Sequence, residues 1–513
     1  MRRIIVITII LLSTLPLFAV PSSKRQFRAA WIASVANIDW PRTGCTDPQA
    51  QQEHMIEILD SLKTLNFNAI IFQIRPTADA LYESALEPWS KWLCGTQGTA
   101  PEPYYDPLHF VINEAHRRQI DVHVWLNPYR VTLRPEHIDS LAPNHIYHRH
   151  PEWFVRYGTQ YYFNPGLDDT RRYLNRVVAD VVARYDIDAI HFDDYFYPYR
   201  IAGQVFPDHD TFAANPRGFK DINDWRRDNV DLVIQELSHT IHSRKPWVEF
   251  GISPFGVWRN DNRDPNGSRT LAGQTNYDDL YADVRLWLRN GWIDYVIPQL
   301  YWEIGKSVAD YNVLSRWWVD NSFGRNLYIG ISSSNIGTLR APAWHRPNEL
   351  CRQIRHNRYY DDILGEAFFS CKTLLQNPQG LCDSLANNLY PHPALTPVNT
   401  NIHGGASAAP DSVRIEQWGA RQYLVWNPVE DYGGYEVRQY VVYMFSAFDP
   451  IDLSNPAAIA AQTDDTCLDL STIDTHGLEE VTFVVTSVNR YHHESAPSRI
   501  VKSEKPFTSP TNP

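Results

Sequence analysis

Cysteine is scarce in this sequence, with six in 513 residues (Cys45, Cys94, Cys351, Cys371, Cys382 and Cys467). They show no CxxC spacing, so they offer no thiolate metal site, and a chain long enough to build a large core does not need a disulfide framework. Runs of lysine and arginine are also missing, and the net charge is -12. Phosphate neutralisation needs a concentrated basic surface, so nucleic acid is not an expected partner. No glycine-rich loop follows any apolar strand, which argues against a dinucleotide site, and no cofactor is expected. Internal repeats and low-complexity segments do not stand out.

Aromatic residues, by contrast, are abundant, with 17 Trp and 28 Tyr. Large rings fill cores, and they also make flat platforms for sugar rings; composition does not choose between these uses. At the N-terminus Met1, Arg2 and Arg3 precede the apolar run 4–12. Pro16 and Ala19 follow, so residues 1–19 read as a secretory signal cleaved after Ala19. The expected location is the periplasm or cell envelope, with no integral membrane span after cleavage. No cysteine precedes Cys45, which disfavours a lipoprotein.

Over residues 24–392 short apolar strands alternate with longer amphipathic stretches, the rhythm of a parallel sheet with helical crossovers. Strands are expected at 28–35, 68–75, 121–127, 189–193, 248–253, 295–301, 327–332 and 364–369. Helices are expected at 51–65, 107–118, 170–184, 223–243, 278–288 and 308–319. Eight strands imply a closed (β/α)8 TIM barrel of the α/β class. A linker rich in Pro, Asn, Gly, Ala and Ser spans 393–409. Short strands at 410–505 then suggest a small all-β sandwich resembling a fibronectin type III domain, serving as a spacer or as a glycan-binding module.

In such barrels the chemistry sits at the C-terminal ends of the strands, on side chains that point inward, while alternate residues face the helices. Ile190 and Phe192 are apolar, so His191 and Asp193 face inward with Asp194 at the rim. Val296, Pro298 and Leu300 face out, leaving Gln299, Tyr301 and Glu303 inside. The same parity turns Arg75, His123, Trp125 and Asn127 inward. Glycoside hydrolysis needs two carboxyl groups flanking the scissile bond, about 5 to 5.5 Å apart for retention or 6.5 to 9.5 Å for inversion. Asp193 and Asp194 are the obvious acids, but neighbours in an extended chain point opposite ways. Glu303 is therefore the expected partner, with Asp79 and Asp39 as fallbacks. Arg75, Asp79, His123, Asn127, Tyr129, Arg130, His191, Tyr197, Gln299, Tyr301 and Trp302 supply donors and rings for a sugar. Trp302 also reads as outward packing. Glu249 points inward near the start of its strand and is assigned to an ion pair at the closed end.

Several motifs together resemble the bacterial glycosyl hydrolase-like 10 family. They are Gln73-Ile74-Arg75-Pro76 with Asp79-Ala80-Leu81-Tyr82, His123 through Arg130, Phe192-Asp193-Asp194-Tyr195, Ser253-Pro254-Phe255-Gly256 and Pro298-Gln299-Leu300-Tyr301-Trp302. The resemblance implies a barrel, export and action on glycan strands, with peptidoglycan foremost. It does not assign catalytic residues. Analogy with some retaining barrels places the nucleophile at Asp193 or Asp194 and the acid at Glu303. Two other classes fit less of the pattern. One is a non-catalytic glycan-binding envelope protein. The other is a metal-dependent amidohydrolase or deacetylase using His123, His191 and Asp193, whose two histidines lie on separate strands without an HxH pair. The linkage, the stereochemical outcome and the oligomeric state are not legible.

Overall fold

A computed structural model describes residues 23–346, 348–430 and 436–503, so the export segment expected at 1–19 lies outside the described residues. Among the described residues up to 370 there are ten strands: β1 (Phe27–Ile32), β2 (Ala69–Arg75), β3 (Asp121–Leu126), β4 (Phe154–Tyr157), β5 (Gln160–Phe163), β6 (Ala189–Phe192), β7 (Glu249–Ile252), β8 (Tyr295–Val296), β9 (Asn326–Ser332) and β10 (Ile363–Phe369). Eight of them close into a parallel barrel in the order β1-β10-β9-β8-β7-β6-β3-β2. β4 and β5 form a separate antiparallel hairpin between β3 and β6. All eight expected barrel strands are present, although β8 is only two residues long. No helix among the described residues is long and apolar enough to cross a membrane.

Side-chain alternation builds two cores. Ile70, Phe72, Val122, Val124, Ile190, Phe192, Val296 and Leu300 pack outward against the helices. Phe27, Trp31, Ile71, Trp125, Tyr295, Ile297 and Tyr328 fill the barrel interior. Helices begin where sequence chemistry permits: Asp47 and Asp106 each cap a helix whose first residue is proline, accepting from Ala50 N and His109 N at 3.0 Å. Proline loses no hydrogen bond at that position, which is why the first helix starts at Pro48 and not at residue 51. Trp40, Trp225, Trp287, Trp318 and Trp344 are all buried, so core packing absorbs much of the tryptophan excess.

The C-terminal part contains β11 (Arg414–Trp418), β12 (Arg421–Val425), β13 (Val437–Ser446), β14 (Ile459–Thr463), β15 (Cys467–Asp469), β16 (Val481–Asn489) and β17 (Val501–Ser503). They form a three-stranded sheet, β11-β12-β15, and a four-stranded antiparallel sheet, β14-β13-β16-β17. Leu424, Trp426, Tyr440, Val442, Phe483 and Val485 make the core of this sandwich.

The sandwich docks under the barrel. Arg490 makes a bidentate pair with Asp186 (2.6 and 3.0 Å), just ahead of β6, and Lys24, just ahead of β1, pairs with Glu494 at 2.6 Å. The connecting segment is tied to the same end: Thr396 donates to Asp121 at the start of β3, and Asn399 donates to Glu249 at the start of β7. These positions precede or begin their strands, so the contact face is the closed, N-terminal end of the barrel. Glu249 thus accepts a hydrogen bond from an amide, where an ion pair was expected. Burial, with Asp294 nearby, pushes its carboxyl up to about 8.

Candidate active site

The open end of the barrel gathers an aspartate pair at the tip of β6. Asp193 turns toward β3: its Oδ2 accepts from Trp125 Nε1 at 3.0 Å and from Asn127 Nδ2 at 3.3 Å, and its Oδ1 accepts from Tyr195 N at 3.2 Å. Burial raises its pKa, and Arg130 together with these donors opposes the rise. Asp194 turns the other way, toward β8. The Tyr199 hydroxyl donates to its Oδ2, and Gln299 Nε2 donates to its Oδ1 at 3.4 Å. Burial and the charge on Asp193 push Asp194 up to about 7. The two neighbours therefore both serve the mouth, because the chain leaves the strand at Phe192 and strand parity no longer governs it.

Below the pair lies a polar floor. Tyr295 OH meets His123 Nδ1 at 2.8 Å and His191 Nδ1 at 3.0 Å, and His191 Nε2 meets Ser253 Oγ at 2.8 Å. Gly251 makes this arrangement possible, since a Cβ there would come within 1.8 Å of the Tyr295 ring. Gln299 completes the connection, donating at 2.9 Å to Ser253 O as well as to Asp194. Burial pushes His123 down to about 3 and His191 well below the ordinary range, so both are neutral. They hold one another through Tyr295 and do not present the sugar contacts expected of them.

Over the pair, Tyr195 and Tyr199 lie with ring centroids 5.2 Å apart, and Arg130 sits 5.5 Å from the Tyr195 ring centroid. The tyrosines are 36% and 37% exposed, whereas Asp193 and Asp194 are 3% and 2% exposed. Tyr301 lies within electrostatic range of Asp194, and its ring stacks on Phe369 at 5.9 Å.

Other expected site residues stand elsewhere. Glu303 pairs with Lys306 on its own turn at 3.4 Å and is not hydrogen-bonded to either aspartate. The ordered strand ends at Val296, so inward parity does not carry as far as residue 303. Arg75 is fully buried, with all three guanidinium nitrogens engaged: Nε and Nη2 on Glu87 (2.8 and 2.6 Å) and Nη1 on Asn127 O and Pro128 O (2.5 and 3.2 Å). It braces the β2 and β3 tips, with four of its five N–H groups engaged and the whole side chain closed to a ligand by burial. Tyr129 and Tyr197 belong to the outer core, and Asn229 donates to the Tyr197 hydroxyl. Trp302 packs outward on Phe255, over the space left by Gly256. Asp79 is held by Thr77 and Gln97, with burial pushing it up to about 6. Asp39 accepts from Ala33 N and Lys372 N, both at 2.8 Å, and fastens the chain after β1.

Sequence reasoning named Trp125 as inward but did not assign it to the site, and it missed Tyr195, Tyr199, Ser253 and Tyr295. Tyr199 was discoverable in principle, because a Tyr-rich segment directly follows the aspartates.

A family model described as Glycosyl hydrolase-like 10 matches residues 26–345. The chain is 41% identical over 493 residues to Glycosyl hydrolase YngK of Bacillus subtilis (strain 168), covering 95% of each protein. It is 38% identical over 379 residues to Glycosyl hydrolase DigH of Escherichia coli (strain K12), covering 70% of this chain and 85% of that protein. Among solved structures, the PgaB (BpsB) glycoside hydrolase domain from Bordetella bronchiseptica aligns at 11% identity and a TM-score of 0.45, over 70% of this chain and 98% of that one.

Proposed function

The chain belongs to the glycosyl hydrolase-like 10 family, and from that premise we propose that it is an exported glycoside hydrolase that cleaves bacterial envelope glycan, foremost the glycan strands of peptidoglycan. The observation that carries the reading is the Asp193–Asp194 pair at the open end of the barrel. One carboxyl is surrounded by donors that suit its anion, and the other is poised near neutrality, as a proton donor to a leaving oxygen requires. The export expected from residues 1–19 and the family membership support an envelope substrate. The polar and aromatic rim formed by Arg130, Tyr195, Tyr199 and Tyr301 suits a carbohydrate.

Mass spectrometry of products released from purified, peptide-free glycan strands tests the proposal. Saccharide release by the wild type, lost in Asp193→Asn and Asp194→Asn, is the expected result. Intact strands with every form, wild type included, would refute it.

A further inference from the structure

Hydrolysis at an anomeric carbon needs a nucleophile as well as a proton donor. In the usual two-carboxylate arrangement these come from opposite sides of the bond. Here the two acids of the mouth are consecutive residues on a single strand end, one held from the β3 side and one from the β8 side. The carboxylates near the adjoining strand ends are committed elsewhere: Glu303 to Lys306, Glu87 to Arg75, and Asp79 to Thr77 and Gln97. The sugars of a peptidoglycan strand, however, carry a nucleophile of their own, the carbonyl oxygen of the 2-acetamido group. Substrate-assisted glycosidases use that group in place of a protein carboxylate.

Resting on the glycan-hydrolase reading above, we propose that the 2-acetamido group of the substrate attacks its own anomeric carbon, with Asp193 holding the amide N–H and Asp194 serving as acid and then base. In the first step the acetamido oxygen bonds to C1 and the bond from C1 to the leaving oxygen breaks. That oxygen takes the proton of Asp194. The product is a cyclic oxazolinium whose N–H faces the Asp193 carboxylate. In the second step water adds to C1 and gives a proton to Asp194. The bond between C1 and the acetamido oxygen breaks, restoring the acetamide. Two inversions at C1 give net retention.

The geometry assigns the roles. Trp125 Nε1, Asn127 Nδ2 and Tyr195 N all donate to Asp193, and with Arg130 they offset the burial that raises its pKa, so three donors are aimed at the carboxylate that an oxazolinium needs beside it. Asp194, pushed up to about 7, carries a proton through much of the neutral range. The substrate class follows: 2-acetamido sugars, cut at the glycosidic bond of the residue that bears the acetamide.

The test uses glycan strands that are de-N-acetylated and then re-acylated with acetyl, fluoroacetyl or trifluoroacetyl groups. Fluorine weakens the carbonyl as a nucleophile. With re-acetylated strands as reference, kcat is expected to fall stepwise with fluorination and by at least ~100-fold in the free amine, a group effect within the ordinary range for one catalytic participant. NMR of the first-formed product is expected to show the retained anomer. Asp193→Asn is expected to lower kcat by a similar factor with its melting temperature preserved. Cleavage that is indifferent to the acyl group, or an inverted first product, overturns this mechanism while leaving the hydrolase reading intact. No cleavage of the acetylated strands removes both.

Discussion

Asp193 and Asp194 are adjacent in the chain, yet Trp125 on β3 holds the first at 3.0 Å while Gln299, beyond β8, holds the second at 3.4 Å. The two carboxyls are thus held by different partners, and burial raises both, Asp194 to about 7 with the charge on Asp193 adding to the rise, and the consequences are measurable. Asp194→Asn removes the group that carries a proton near neutrality. Saccharide release is expected to fall by about 10²–10⁴-fold, with little change in a thermal melt. Activity of the wild type is expected to decline as pH rises through about 7, where Asp194 loses its proton.

Tyr199 donates to Asp194 and so favours its ionised form. Tyr199→Phe deletes that donor, which raises the carboxyl further. The alkaline limb of the rate profile is expected to move to higher pH, and an unmoved or lowered limb would show that Tyr199 does not tune this group.

Glu303→Gln is expected to change kcat by less than about 3-fold, because the partner of Glu303 is Lys306, on its own turn, and neither aspartate bonds to it. A loss comparable to that of Asp194→Asn would return Glu303 to the role expected from strand parity.

Arg75→Met leaves Glu87 as a buried charge without its partner. Breaking such a pair costs about 3–5 kcal/mol. Denaturant unfolding is expected to show that loss, and adding Glu87→Leu in the same chain is expected to recover part of it. An effect confined to KM would indicate a substrate contact instead.

Glu249 has its carboxyl at about 8 in the fold, against an ordinary 4.5. Between those values the folded state keeps a proton that the unfolded state has lost, so stability falls as pH rises, by up to about 1.4 kcal/mol per pH unit. Glu249→Gln keeps the acceptor for Asn399 and removes the titration. Its stability relative to wild type is expected to grow from pH 5 to pH 8 and then level off. A constant difference across that range would contradict the assignment.

The barrel was legible because alternation leaves a strong mark: Ile190 and Phe192 face the helices, while His191 lies inside. The same rule placed Asp193, Asn127 and Gln299 near one another. It still held for Asn127 and Asp193, one residue past their strands, and failed farther along the chain. Glu303, the residue parity placed nearest the mouth, lies seven residues past the end of β8, where the chain turns and a period of two carries no information. Arg75 illustrates a different limit. Its inward position was readable, but its partner Glu87, twelve residues away on a loop, was not.

The sandwich is fastened to the barrel's closed end through Arg490–Asp186 and Lys24–Glu494. The sandwich therefore adds nothing to the rim of the open end, where the Asp193–Asp194 pair lies. Attachment of the protein to a surface through its sandwich would leave the end that carries Asp193 and Asp194 facing away from that surface, so that tethering and access to that end would not compete.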